Sequence, residues 1–105
     1  MYQTDEQILI GLKTDPDKVL ESLYKMYAGM VHHFILSNNG ESDEAKDIYQ
    51  ESIIIFYEQV QSGKLVLQCK IKTYIYSIAR RLWLKKLAAK KLTPVKIEDI
   101  ASFVA

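Results

Sequence analysis

Apolar residues recur at helical spacing in four stretches of this chain, and the residues between them are those of helix caps and stops. Thr4 followed three residues later by Gln7 fits a capping box, which opens a short helix carrying Ile8, Leu9 and Leu12 inward. Asp15-Pro16 then restarts the chain, with Asp as N-cap and Pro at a first helical position where its missing N–H costs nothing. A second helix is predicted over residues 16–37, its stripe formed by Leu20, Leu23, Tyr27, Met30, Val31 and Phe34. Asn38-Asn39-Gly40 should stop it, since Asn and Gly tolerate the left-handed conformation of a helix end. The third helix, residues 42–61, is predicted to start with Ser42 as N-cap and to close at Gly63. Its stripe of Ala45, Tyr49, Ser52, Phe56 and Val60 lies on the face a core would bury. Residues 65–69 read as an ordered loop, because a lone strand there would have nothing to pair with. A fourth helix over residues 71–90 turns Ile71, Ile75, Ile78 and Leu82 inward, and Thr93-Pro94 should break it. A helical turn is expected at residues 98–103. The fold class is all-α: a compact bundle of three long helices and one short N-terminal helix.

Two faces of these helices remain polar, and they differ in charge. On the third helix, Asp47, Gln50, Glu51, Ile54 and Glu58 lie opposite the core stripe. An acidic stripe with an isoleucine in its middle fits a docking surface, or a solvated face with one stray apolar residue. On the fourth, Lys70, Tyr74, Ser77, Arg81 and Lys85 form a narrow basic stripe with an aromatic in it. Such a face either neutralises phosphates and stacks on an unpaired base, or is a solvated lysine-rich helix. Tyr76, Trp83, Leu84 and Leu87 fall away from the core stripe of the fourth helix. That requires cover on a second side, from the tail or another domain, or leaves an apolar patch for a partner.

Composition adds the partition of charge. The 105 residues suit a single domain, and 49% hydrophobic residues are enough for a core. A net charge of +1 says little, but residues 41–61 hold six acids against one base. Residues 70–91 hold eight bases, Lys72 and Arg80 among them, and no acid. Neighbouring segments of opposite sign point to two partners, or to one segment folded against the other.

Enzyme chemistry finds no support in the sequence. His32 and His33 are adjacent, so on a helix they point about 100° apart and cannot share a metal as i, i+4 histidines do. Cys69, the only cysteine, has no neighbouring histidine to activate it and no partner for an internal disulfide. Glycine-rich phosphate loops and serine-nucleophile motifs are absent. No catalytic residue, metal or cofactor is expected. Neither a signal peptide nor an apolar run of about 18 residues is apparent, so the expectation is a cytoplasmic protein without membrane insertion.

Two segments resemble a known family. Glu44-Ala45-Lys46-Asp47-Ile48-Tyr49-Gln50-Glu51 is similar to the D-A-x-D-hydrophobic-x-Q-E pattern of region 2 of bacterial sigma factors, most closely the extracytoplasmic-function (ECF) type of the sigma-70 superfamily. Tyr74-Ile75-Tyr76-Ser77-Ile78-Ala79-Arg80-Arg81 is similar to that family's W-L-Y-x-I-A-R-N. Asp5-Glu6-Gln7-Ile8-Leu9 and Leu23-Tyr24-Lys25-Met26-Tyr27 also fall where the family has similar residues. The resemblance implies a region 2 helical domain over residues 1–92, with residues 93–105 beginning a linker. The second, −35-reading domain of such factors is absent from the chain, as expected of an excised domain or of a natural truncation.

The resemblance also implies a division of labour. Asp47, Gln50 and Glu51 would dock on the β′ clamp helices of RNA polymerase core, with Ile54 beside them by helical phase. The loop around Gln68 to Lys70 and the helix bearing Tyr74, Arg80 and Arg81 would hold the non-template strand of the −10 promoter element, opening DNA without chemistry. With the basic stripe, the DNA-binding set is Lys70, Lys72, Tyr74, Ser77, Arg80, Arg81 and Lys85. An anti-sigma factor is a further partner that family members often have. The chain departs from the pattern in three places: Tyr74 replaces tryptophan, Arg81 replaces asparagine, and Lys85 stands where aspartate is common. An arginine at that position reads a guanine edge or holds a phosphate. The competing readings are a helical protein-interaction module that uses the acidic stripe without DNA, and a small metal-dependent enzyme built on the histidine pair.

Overall fold

Thr4 opens the first helix as its sequence requires: the Gln7 N–H donates to Thr4 Oγ1 at 3.1 Å, and the Thr4 N–H donates to Gln7 Oε1 at 3.3 Å. The structure, a computed structural model, describes residues 4–90. Within them lie helices α1 (Asp5–Thr14), α2 (Pro16–Met26), α3 (Ala28–Ser37), α4 (Ser42–Gln61) and α5 (Ile71–Lys90), and no strand. The break expected at Thr93-Pro94 and the turn expected at 98–103 lie outside the described residues.

Helix α4 is the hub, packed against each of the other four helices, while α5 packs on both α4 and α3. Its expected stripe is buried throughout, from Ala45 to Val60, and Ile48 and Ile53 are buried beside it. Ser52, the buried polar residue on that face, donates its hydroxyl to the Ile48 carbonyl at 2.7 Å and so carries no desolvation penalty. α1 is tied on at both ends. Gln61 Nε2 donates to the Leu12 carbonyl at 3.1 Å, and the Asp5 carboxylate accepts from the Ile71 N–H at 2.9 Å. Asp5 thereby caps α5 as well as lying in the first turn of α1.

The all-α bundle is as expected, but the second long helix is two. At Tyr27 the backbone turns out of helical geometry (φ −116°, ψ 12°). The cause is a side chain from α4. The Tyr49 hydroxyl accepts from the Tyr27 N–H at 3.1 Å and donates to the Leu23 carbonyl. Those two backbone groups would otherwise bond each other in a continuous helix, so Tyr49 is inserted into the ladder and interrupts it.

Two further details correct the sequence reading. The chain enters α4 through Glu41, extended at φ −108° and ψ 166°, and Ser42 is the first helical residue. The Glu44 side chain reaches back to the Glu41 N–H at 3.0 Å, which satisfies the donor a serine cap would have left. Trp83 and Leu87 are not an outward patch. Trp83 is fully buried and donates its indole N–H to the Asn38 carbonyl at 3.0 Å, so α3 and its exit loop supply the second cover. Tyr76 meets Phe34 of α3 edge-on, with ring centroids 5.3 Å apart.

That loop is tightly set. Asn39 takes a left-handed φ of 70°, and the Gly40 N–H reaches the Ile35 carbonyl at 2.9 Å in a Schellman-type stop. A Cβ on Gly40 would meet Ile35 Cγ2 at 2.2 Å and Trp83 Cη2 at 2.9 Å, so only glycine lets α5 pack this close.

Candidate functional site

The exposed side of α4 carries the acidic stripe as the sequence placed it. Asp47, Gln50, Glu51 and Glu58 are exposed, and Ile54 is 44% exposed, one of the few large apolar side chains left in solvent. The α2–α3 break lies along one edge of this stripe, where Gln50 and Lys46 share an open groove with Tyr24, Ala28 and His32. Along the other edge Ile55 and Gln59 share a groove with Tyr74, Ile78, Arg81 and Leu82 of α5. The acidic face therefore runs directly into the flank of the basic helix.

On α5 the basic residues divide by what they touch. Lys70, Lys72, Arg81 and Lys85 are exposed. Arg81 Nε donates to the Ser77 carbonyl at 3.4 Å, and Ser77 donates its hydroxyl to the Tyr74 carbonyl at 2.7 Å, so Ser77 serves its own helix. Tyr74 is half-buried, in a T-shaped contact with Phe56 at 5.9 Å between ring centroids, and lines the groove. Arg80 is half-buried, its guanidinium 5.8 Å from the Tyr76 ring centroid, and lines a shallow depression with Ser77, Arg81 and Leu84.

Lys86 and Lys90 are engaged within the fold. Lys90 bonds the Glu44 carboxylate, Lys86 lies 4.0 Å from it, and the Lys90 ammonium also sits 5.7 Å from the Trp83 ring. The run of bases counted in the sequence is thus partly consumed at the C-terminal end of α5. Glu44, from the same motif as the docking residues, ties that end of α5 to the start of α4. The Lys90 hydrogen bond, followed by the Glu41 N–H and the charges of Lys90 and Lys86, holds the Glu44 carboxyl below its ordinary value of 4.5. A depressed carboxylate stabilises the fold above its unfolded value, and the contribution is lost as pH falls through the lower folded value. Glu44→Gln should therefore lower the melting temperature at neutral pH. The gap to the parent should close as pH is taken well below 4.5 in a series of thermal melts.

His32 is half-buried in the α2–α3 groove while His33 is exposed, and no cluster of three metal-ligating side chains occurs among the described residues. Cys69 is exposed in the α4–α5 loop. No helix among the described residues is long and apolar enough to cross a membrane.

The site consists of two adjoining faces, one acidic with a central apolar residue and one basic with a fixed aromatic, and neither has the arrangement of a reaction centre. The contribution of Gln59 to the groove was invisible in the sequence, where it is one more polar residue of a wet face. No curated protein and no solved structure matches the chain. The family model described as Sigma-70 region 2 matches residues 23–93, which is more than half of the chain and includes both motifs and both faces. The chain therefore belongs to the sigma-70 region 2 family, whose domains act in transcription initiation without catalysis of their own.

Proposed function

We propose that the two faces divide the work of a promoter-melting domain. The acidic stripe of Asp47, Gln50, Glu51 and Ile54 docks on the β′ clamp helices of RNA polymerase core. The α5 flank, with Lys70, Lys72, Tyr74, Ser77, Arg80, Arg81 and Lys85, holds the non-template strand of the −10 element. Residues 1–92 form this unit in a cytoplasmic ECF-type factor, and residues 93–105 begin the linker. Ser77 contributes by placing Tyr74 and Arg81, given its hydroxyl's bond within the helix.

The observation that carries the reading is the seam itself: Ile55 and Gln59, the α4 residues next to the stripe, line one groove with Tyr74 and Arg81 of α5. A protein docked on α4 then lies next to the strand held on α5. Strand opening costs a few kcal/mol per base, and backbone neutralisation and contact with the Tyr74 ring offset it.

Each face has its own test. Gln50→Ala and Ile54→Asp should each weaken binding to a β′ clamp-helix fragment about tenfold by titration calorimetry, as for a central interface residue. Both positions are exposed, so circular dichroism should be unchanged. Wild-type affinity in both variants would refute the docking face. Arg81→Ala should weaken binding to single-stranded −10 oligonucleotides and lower the magnitude of the log–log salt slope by about 0.7, one phosphate contact. A parent protein that fails to bind such strands at low salt would leave a protein-interaction module that does not touch DNA.

A further inference from the structure

We infer that Gln59, on α4 and outside the basic helix, reads a base of the strand held on α5; the inference rests on the promoter-binding reading above. Gln59 is exposed, and it lines one open groove with Tyr74 and Arg81 across the α4–α5 seam. The groove has an apolar component in Ile55, Ile78 and Leu82, which suits the face of a base or a sugar.

Its polar groups complement one nucleotide. Arg81 brings a cation with donors to spare beyond its Nε contact to Ser77. Gln59 brings a primary amide with one acceptor and two donors, the set that pairs in bidentate fashion with N6 and N7 of adenine. The two nearby glutamines are employed differently. Gln61 is tied to the Leu12 carbonyl at 3.1 Å, whereas the Gln59 side chain has no hydrogen-bond partner among the described residues.

The occupant fits the charge around it. Lys70, Lys72, Arg81 and Lys85 are exposed on α5 and the loop before it, while Asp47, Glu51 and Glu58 of α4 lie along its outer stripe. A polyanionic strand following those cations brings one unpaired nucleotide into the groove, with its base edge toward Gln59 and its phosphate toward Arg81. Gln59 is thus a specificity-determining residue supplied by the helix that otherwise faces the polymerase.

The test uses the full chain and a panel of single-stranded oligothymidylates carrying adenine, guanine or cytosine at one scanned position, read by fluorescence anisotropy. The parent should prefer adenine at one position. Gln59→Ala should erase about 5- to 150-fold of that preference, the equivalent of about 1–3 kcal/mol. Its affinity for plain oligothymidylate and its salt slope should stay unchanged. Gln59→Glu should weaken every oligonucleotide by adding an anion to the groove that takes the nucleotide. A parent that binds with salt dependence but shows no adenine preference overturns the inference and leaves the promoter-binding reading standing. So does a preference that survives intact in Gln59→Ala. A parent that binds no strand overturns both.

Discussion

Replacing Trp83 with alanine should cost about 3–5 kcal/mol of folding free energy, the usual range for deleting a large aromatic from a packed interior. A domain of this size has about 5–15 kcal/mol in all, so the variant should be near its folding limit at physiological temperature. Trp83 is fully buried where α5 crosses the exit of α3. Its removal leaves a void against Gly40, whose lack of a side chain makes room for the indole edge. It also leaves the Asn38 carbonyl without its 3.0 Å donor. Collapse around the void is impeded because Asn39 is held left-handed and the Gly40 N–H is bonded to the Ile35 carbonyl. Urea denaturation followed by circular dichroism measures the loss, since the substitution removes the chain's single tryptophan. Trp83→Phe separates the contributions: it keeps most of the ring, loses the N–H, and should cost less. An unfolding free energy for Trp83→Ala within about 1 kcal/mol of the parent would show that the indole is not the keystone between α3 and α5.

Tyr49→Phe should cost about 1–3 kcal/mol, although it removes a single oxygen. That oxygen serves both the Leu23 carbonyl and the Tyr27 N–H, and without it two interior backbone groups lose their partner together. A second outcome is built into the geometry, because the same two groups are the ones a continuous helix would join. If α2 and α3 heal into one helix, the loss shrinks and helical ellipticity rises, with amide exchange at Tyr27 slowed. If they cannot heal, exchange at Tyr27 accelerates and the full cost appears. Burial also pushes the Tyr49 hydroxyl up to about 12 from its ordinary 10.0. A group with a raised folded value contributes stability that is complete below its unfolded value and is lost as pH rises through the folded one. The parent should therefore lose stability between pH 10 and about 12, with a contribution of a few kcal/mol from this residue. Tyr49→Phe should lose correspondingly less over that interval in alkaline denaturation curves.

The sequence made the helices and their inner stripes legible wherever the buried residues of a helix form one continuous face. The stripe of α4 from Ala45 to Val60 is buried as its spacing demands, and Ile71, Ile75 and Ile78 of α5 are buried likewise. Periodicity failed where a helix is covered on a second, separate face. α5 lies against α3 as well as α4, so Trp83 and Leu87 looked misplaced only while a single buried face was assumed. The break at Tyr27 was illegible for a different reason. No proline marks it, and its cause is a hydroxyl 22 residues downstream, visible only once α4 is packed. The acidic stripe could be read from phase, and its residues stand in solvent as expected. The basic run could be counted but not apportioned. Which lysines face outward depended on Glu44, which sequence distance separates from Lys90 by 46 residues.

Asp5 gives the N-terminal helix a part in how a strand can lie on the protein. The exposed N–H groups and dipole at the start of α5 would make it a natural landing point for a phosphate. The carboxylate of Asp5 already holds the Ile71 N–H there at 2.9 Å, from a residue ahead of the stretch that matches the family. A phosphate approaching that tip meets a negative charge. In the proposed strand-binding role, a phosphate is thereby kept off the Ile71 N–H and left to the side chains of Lys70, Lys72, Arg81 and Lys85, which stand in solvent. The first helix, which lies ahead of the stretch that matches the family, thus enters the proposed strand-binding role through a single hydrogen bond.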